Sequence, residues 1–518
     1  MSDSSNLHAA AEARVSTLDA LPRGTRLLFR GDQLIAVPDA IADRFAKGDS
    51  VVIAEGTEEV LLIPAAERRI AHEAVSQALD AFAIVRSASD ERIARFFEGF
   101  ARRLAEPAIW RQIEDANAFD VQSAKQRGRS TTRLSTSEAM RSDMIAGLRG
   151  WTAAPSRRGQ VLETVQHEGF RAELVGAALG VVAFVFEGRP NVLADATGVL
   201  RSGNTVVLRI GRDALGTARS IMEHALWPAL REAGLPQHSV GLLDSTEHAS
   251  GWALFGDKRL GLAVARGSGP AVATLGSLAQ QAGVPVSLHG TWGAWLVTSR
   301  TTDADELEAV VRGSLDRKVC NSLNVLCILR ERAAAHVPAA LRGIAAAAEA
   351  RGRAFKLHVV RGSESYLPAE LFTRQVEIGR AEGLVHELQA ELLDGRELGR
   401  EWEWEDSPEL SLVVVDSVDA AVSLFNRESP QFIASLLSSD ADEQRRFYED
   451  VNAPFVGDGI TRWVDGQKAL SKPELGLSNW QFGRLFGRGG ILTGDGVLTV
   501  RTRAVTTRGR SPTGGGGQ

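Results

Sequence analysis

Apolar and polar residues alternate in short runs near the start of the chain. Thr25 to Pro64 reads TRLLF, GDQLIAVP, GDSVVIAEG and EEVLLIP, four short strands broken by Gly-Asp turns, because Gly takes positive φ and Asp bonds its own backbone there. Residues 1–66 are therefore expected to form a small β-rich module. From Glu67 to Met144 the apolar spacing lengthens to three and four, as in HEAVSQALDAFAIV and ERIARFFEGFARRLAE, which predicts amphipathic helices. Alternation returns over Val161 to Val175 around a turn at His167-Glu168-Gly169, predicting a hairpin. Then come buried-looking strands separated by helical stretches: GAALGVVAFVF from Gly176, TVVLRI before a helix from Ala214 to Ala233, SVGLL, LGLAVARG before a helix from Ala271 to Ala282, and PVSLHG. Strands apolar on both faces and divided by helices predict a parallel, doubly wound sheet. A second series follows, with SLNVLCIL, LSLVVVDS and FIASLLSS between helices at Asp303–Leu315, Arg332–Arg351, Val418–Asn426 and around Glu443. The end, GVLTVRTRAVTTRGR, reads as one long strand with no local partner, an edge that invites a second subunit. SPTGGGGQ is a flexible tail.

Composition narrows the function. Of 518 residues 44% are hydrophobic, enough for two or three cores. Lys and Arg total 59 against 65 Asp and Glu, giving a net charge of -6. With no basic stripe, nucleic acid is excluded as a partner. Two cysteines make no disulfide framework, the N-terminus has no signal-peptide core, and no apolar run reaches the roughly 18 to 20 residues of a membrane span. A soluble protein of the reducing cytoplasm is expected, with no membrane partner. No metal site is expected.

The segment LDRKVCNSLNVLCIL, Leu315 to Leu329, carries the chemistry. Cys320 follows Arg317 and Lys318 at the mouth of an apolar strand. Neighbouring cations stabilise a thiolate, the form that attacks carbon electrophiles, so Cys320 reads as a low-pKa nucleophile. Cys327 alternates into the strand and reads as core.

The stretch EGRPNVLADATGVLRSGNTVVLRIG (Glu187 to Gly211) resembles the glutamate-5-semialdehyde dehydrogenases, or γ-glutamyl phosphate reductases, of the aldehyde dehydrogenase superfamily. The likeness continues in order through LAVARGSGPAV, PVSLHGTWGAWLV, DRKVCNSLNVL, VVVDSVDAAVSLFN, TRWVDG, PELGLS and GRGG, from about Asn117 to Arg503. It leaves out the N-terminal module, whose VPDAIADRFAKGDSVVI weakly resembles the swapped-hairpin modules of bacterial transition-state regulators. The expected fold class is α/β, aldehyde dehydrogenase-like, with two doubly wound domains, an oligomerisation hairpin and the β-rich extension. The division would be 1–66 extension, 67–290 cofactor-binding domain with the hairpin at about 161–176, 291–455 catalytic domain, 456–507 return segment with oligomerisation strand, and 508–518 tail.

The resemblance implies roles. Cys320 falls at the family's nucleophile, and Asn191 at the asparagine that shares an oxyanion hole with the nucleophile's N–H. Read alone, Asn191 is a turn residue after Pro190. His289, in LHGTWG, stands where oxidising relatives carry the glutamate that activates water, which fits a reductase; it is either a proton donor, a phosphate contact or a structural histidine. No G-x-G-x-x-G follows a strand. Cofactor binding is instead implied at Arg209, whose guanidinium suits the 2′-phosphate of NADP(H) although a surface arginine is the competing reading. The loop Arg266-Gly267-Ser268-Gly269 would approach the pyrophosphate unless it is only a βα turn. Glu405 lies near the glutamate for the nicotinamide ribose.

For the substrate, Arg462 is a carboxylate or phosphate grip or a structural ion pair, and Asp458, Trp292 and Trp295 depart from the family. Those departures predict a pocket that disfavours a small dianion. The resulting expectation is NADP(H)-dependent reduction of an acyl phosphate to an aldehyde through a cysteine thioester, in a homodimer or homotetramer, with an amino-acid kinase as the supplying partner. The alternatives are an acylating reductase that uses coenzyme A or carrier thioesters, and a catalytically silent partner-binding homologue.

Overall fold

The computed structural model describes residues 17–129, 131, 134–186, 188–290, 293–380, 383–481, 483–485 and 489–506. Two parallel sheets organise the chain. The first has the strand order Val286–His289, Leu260–Arg266, Val181–Phe186, Thr205–Ile210, Val240–Leu242. Its strands are mostly apolar because both faces are covered, with polar residues such as Arg209, Arg266 and His289 toward their carboxyl ends. Val182, Phe184 and Phe186 enter one core, beneath the helices Asp90–Ala105 and Leu215–Ile221, while Val181, Ala183 and Val185 enter another against Ala65–Val85. The second sheet runs Ala390–Leu393, Lys356–Val360, Glu409–Val415, Leu323–Leu329, Ala294–Thr298, Ile433–Leu437, Phe455–Gly457. It too is parallel at every pairing. This is the aldehyde dehydrogenase-like α/β architecture.

Local chemistry modifies the expected elements. The helix expected over Ala214 to Ala233 is interrupted at Met222–Leu226 by a π-helical turn, just before Pro228, whose missing N–H and ring cannot sit in an ordinary helical ladder. The hairpin forms as Val161–His167 and Phe170–Ala178, with Gly169 at φ +83 in its turn. The final strand needs correction. Leu498–Thr506 does have a partner in its own chain, pairing antiparallel with Phe170–Ala178 from Leu498 opposite Ala178 to Thr506 opposite Phe170. Glu173 pins this pairing through its ion pair with Arg503 on the facing strand, and Arg171 on its own strand holds the same carboxylate. The sequence hid the pairing because its two members are far apart along the chain, Glu173 and Arg503 being separated by 330 residues.

The N-terminal module consists of two hairpins, Arg26–Phe29 with Gln33–Ala36 and Ser50–Ala54 with Glu59–Ile63, joined by the short helix Asp39–Ala42. The second hairpin is not detached. Ala54 and Leu61 pack with Leu278 and Trp252, which seats it on the helices His248–Phe255 and Gly269–Gln281. Residues 508–518, read as a tail, lie outside the described residues. Among the described residues no helix is long and apolar enough to cross a membrane.

Candidate active site

The strand Leu323–Leu329 is buried along its whole length, and the loop before it presents Cys320. Ser322 shapes that loop: its Oγ accepts the Val319 N–H at 2.9 Å and donates to the Arg317 carbonyl at 2.6 Å. Asn321 ties the loop to the return segment, donating from Nδ2 to Val464 O at 2.9 Å while its own carbonyl accepts from Thr461 Oγ1 at 2.7 Å. Cys320 thus sits at a cavity of about 490 Å³ together with His289, the Arg266–Gly269 loop, Arg462 and Glu474.

Burial dominates the electrostatics of the thiol. It pushes Cys320 up to about 11, with Glu474 pushing the same way, and the cations Arg266, Arg189 and Lys318 pull down without prevailing. The low resting pKa expected from Arg317 and Lys318 is therefore corrected. Lys318 Nζ is committed to Glu401 at 2.6 Å, and that carboxylate opposes its field at the thiol. Cys327 is fully buried and its thiol is raised further still, by burial alone.

His289 is buried, and burial holds its pKa well below the usual imidazole value, with Arg266 and Arg189 acting in the same direction. Its Nδ1 accepts the Leu477 N–H at 3.2 Å, which assigns the proton of the neutral ring to Nε2. A neutral imidazole with Nδ1 already engaged is a hydrogen-bond donor. It cannot replace a carboxylate as the base that activates water.

A second cavity, of about 330 Å³, opens at the carboxyl ends of the first sheet's strands and is lined by Val185, Arg209, Gly251, Trp252, Pro270 and Thr274. Glycine leaves room in its floor, since a Cβ on Gly251 would meet the Arg209 side chain at 3.7 Å. Ser268 is the N-cap of the helix Gly269–Gln281, which carries Pro270 in its first turn, and this helix N-terminus borders the two cavities through Ser268, Gly269 and Pro270. Phe186, Arg266 and Gly267 line both cavities. One ligand can therefore extend from Arg209 to Cys320. A long, anion-tolerant cleft beside a helix N-terminus fits a dinucleotide.

Several expected residues lie elsewhere. Glu405 is exposed, and Glu401 and Glu403 line the cysteine cavity in its stead. Asp458 is exposed and lines neither cavity. Trp295 is fully buried in the second sheet, edge-on to Phe425 with centroids 5.4 Å apart. Trp292 lies outside the described residues. Asn191 is half-buried as the N-cap of the helix Val192–Ala196 and, unlike Arg189 and Val192 beside it in the chain, is not among the residues lining the cysteine cavity. Arg266 is ion-paired to Glu474 at 3.1 Å. Arg462 gives Nε to Asp316 and Nη1 to Asn321, so the expected two-pronged grip on a ligand is unavailable and only Nη2 remains. Among the lining residues that sequence reading did not name are Arg189, Asp465 and Glu474. Each stands in a stretch quoted for the family likeness, GRPNV, TRWVDG or PELGLS, and nothing in those stretches alone says which side chain turns inward.

No family model matches the chain. The γ-glutamyl phosphate reductase of Rhodopseudomonas palustris strain BisB5 is 30% identical over 382 residues, covering 71% of this chain and 81% of that protein. The γ-glutamyl phosphate reductase of Syntrophomonas wolfei is 27% identical over 377 residues, or 71% and 82% of the two chains. Among solved structures, γ-glutamyl phosphate reductase from Thermotoga maritima matches with a TM-score of 0.72 at 21% identity, over 85% of this chain and 100% of that one. An acetylating aldehyde dehydrogenase from Geobacillus thermoglucosidasius matches at 0.57 and 13%, over 86% and 99%. At those identities the two structures speak to the fold.

Proposed function

The chain belongs to the γ-glutamyl phosphate reductase family, aldehyde dehydrogenase-type oxidoreductases, and from that premise we propose that it reduces a γ-glutamyl phosphate-like acyl phosphate to the aldehyde with NADPH. The observation that carries this reading is the cleft shared through Phe186, Arg266 and Gly267, which joins the cavity at Arg209 to the one at Cys320. When bound, the cofactor supplies hydride. The chain's own residues do the rest. Cys320 Sγ gives up its proton and attacks the acyl carbon; the C–S bond forms as the C–O bond to phosphate breaks, and inorganic phosphate leaves. Asn191 and the Cys320 N–H hold the carbonyl oxygen through that step and through the thiohemiacetal, which expels the Cys320 sulfur to release aldehyde. His289, neutral and with Nδ1 engaged, is not itself a base that could recruit water to the thioester. Arg462 Nη2 meets an anionic oxygen of the substrate. An amino-acid kinase would supply such a substrate, and the thiol chemistry suits a reducing cytoplasm.

The two described departures once expected to reshape the pocket, Asp458 and Trp295, stay away from it, which supports the family's small acidic substrate. The reverse reaction tests this directly. Glutamate-5-semialdehyde, phosphate and NADP⁺ should yield NADPH, and omitting phosphate should abolish turnover. Activity that depends on coenzyme A in place of phosphate would overturn the acyl phosphate reading.

Cofactor preference gives a separate test. An Arg209 contact to a 2′-phosphate is charge-assisted, about 1.5 to 3 kcal/mol or roughly ten- to a hundredfold in affinity. Arg209→Ala should weaken NADPH by that factor and leave NADH nearly unchanged in fluorescence titration. Equal weakening of both would make Arg209 structural.

Assembly as a homodimer or homotetramer is also part of the proposal. Leu162 and Val165 on the edge strand Val161–His167 are each 44% exposed, and Val500 is 50% exposed, on a sheet whose two outer strands are open. Leu162→Glu with Val165→Glu should convert the oligomer to a monomer in sedimentation. A wild-type protein already monomeric at micromolar concentration contradicts the idea.

A further inference from the structure

The N-terminal hairpin Ser50–Ala54/Glu59–Ile63 comes from outside the stretch of family likeness, yet Glu59 and Leu61 line the same cavity as Arg209. It is held there by polar contacts as well as by packing. The Gly56 N–H donates to Ser277 Oγ at 3.0 Å, and Gln281 Nε2 donates to Ile53 O at 2.9 Å, both partners standing on the helix Gly269–Gln281. Thr274 Oγ1, on that helix, donates to Glu59 Oε2 at 2.6 Å, and Thr57 Oγ1 donates to the same oxygen at 3.0 Å. Glu59 Oε1 accepts nothing among the described residues. A carboxylate fixed by two hydroxyls at a cavity rim is an oriented acceptor.

The cavity is chemically divided. Arg209 stands at its deep, cationic side on the strand Thr205–Ile210. Leu61, Trp252, Val272 and Leu275 make an apolar slot with Gly251, suited to a flat aromatic ring. Thr274 and Glu59 stand together at the edge of that slot. If the cationic side takes the ribose and its phosphate, the base fills the slot and its edge faces Glu59. Adenine presents there its 6-amino group, a donor that a carboxylate accepts.

We propose that the N-terminal module is the outer wall of the adenosine pocket, with Leu61 covering the adenine ring and Glu59 reading its 6-amino group. This rests on the dinucleotide reading of the cleft. It makes Glu59 a specificity residue for the base, separate from Arg209 and its phosphate.

The test uses the full-length protein, titrated with NADPH, NADH and the hypoxanthine analogue of NADPH, in which a carbonyl oxygen replaces the 6-amino group. Wild type should bind the analogue about tenfold more weakly than NADPH, since at position 6 a donor is replaced by an acceptor that faces the carboxylate. Glu59→Gln, whose amide also donates, should remove most of that discrimination. Leu61→Ala should weaken NADPH and NADH by a common factor, roughly five- to tenfold for the lost apolar cover, and keep their ratio. A thermal melt on each variant separates these effects from misfolding, and Thr274→Val, which frees Glu59 without altering it, should reproduce part of the Glu59→Gln loss. Equal wild-type affinity for NADPH and the analogue, or unchanged cofactor binding in Leu61→Ala, overturns the proposal and leaves the reductase reading intact. Failure of wild type to bind any of the three would overturn both.

Discussion

Cys320→Ser should lower kcat/KM for acyl phosphate reduction by about a thousandfold or more, because it preserves the loop shape set by Ser322 and Asn321 while removing the sulfur that carries the acyl group. NADPH affinity should stay close to wild type, since the Arg209 cavity is untouched. The pH dependence follows from the thiol. With its pKa pushed up to about 11, Cys320 is almost wholly protonated at neutral pH, and the thiolate fraction rises tenfold per pH unit below that value. Alkylation by iodoacetamide, and kcat/KM where attack limits the rate, should therefore climb with unit logarithmic slope from about pH 6 to 9. Glu474→Gln, which removes the largest charge effect raising this pKa, should accelerate alkylation at fixed pH. Mass spectrometry should find Cys320 modified first, with Cys327 labelled only on unfolding. A rate plateau near pH 7 would mean that Arg266, Arg189 and Lys318 outweigh burial.

The two sheets were legible because parallel strands covered on both faces leave runs such as VVAFVF and TVVLRI, which no amphipathic element imitates. The pairing of Leu498–Thr506 with Phe170–Ala178 was not, since alternation marks a strand but never names its neighbour. The cysteine was legible from its loop, whereas its pKa was not. Arg317 and Lys318 adjoin it in sequence, but the groups that decide its state are burial and Glu474, brought in by the fold. The segment EWEWEDSPEL shows the same limit at smaller scale. Three glutamates alternate with two tryptophans, and the buried Trp402 and Trp404 set which acids turn outward. Glu401 and Glu403 reach the cavity. Glu405, one step further, does not, and sequence alone offered no way to choose among them.

Arg462→Lys should raise KM for the acyl phosphate, or for phosphate in the reverse direction, by roughly ten- to a hundredfold, the worth of one charge-assisted hydrogen bond of about 1.5 to 3 kcal/mol. The argument starts from what the guanidinium already does. Nε is bound to Asp316 and Nη1 to Asn321, beside the nucleophile. The remaining nitrogen, Nη2, is buried in the cavity wall without a hydrogen-bond partner among the described residues. A buried cationic N–H lacking an acceptor is costly, and an anionic substrate oxygen removes that cost on binding. Lysine keeps the charge but cannot hold Asp316, Asn321 and a ligand in a fixed fork. Two readouts separate grip from scaffold. Loss of grip raises KM while leaving NADPH affinity unchanged. Loss of scaffold shifts Asn321 and with it Cys320, which the iodoacetamide rate reports. A variant with wild-type KM, an altered alkylation rate and a lower Tm would show that Arg462 only braces the cysteine loop, and the substrate anion would then have to be met by another cation of that cavity, such as Arg189 or Arg317.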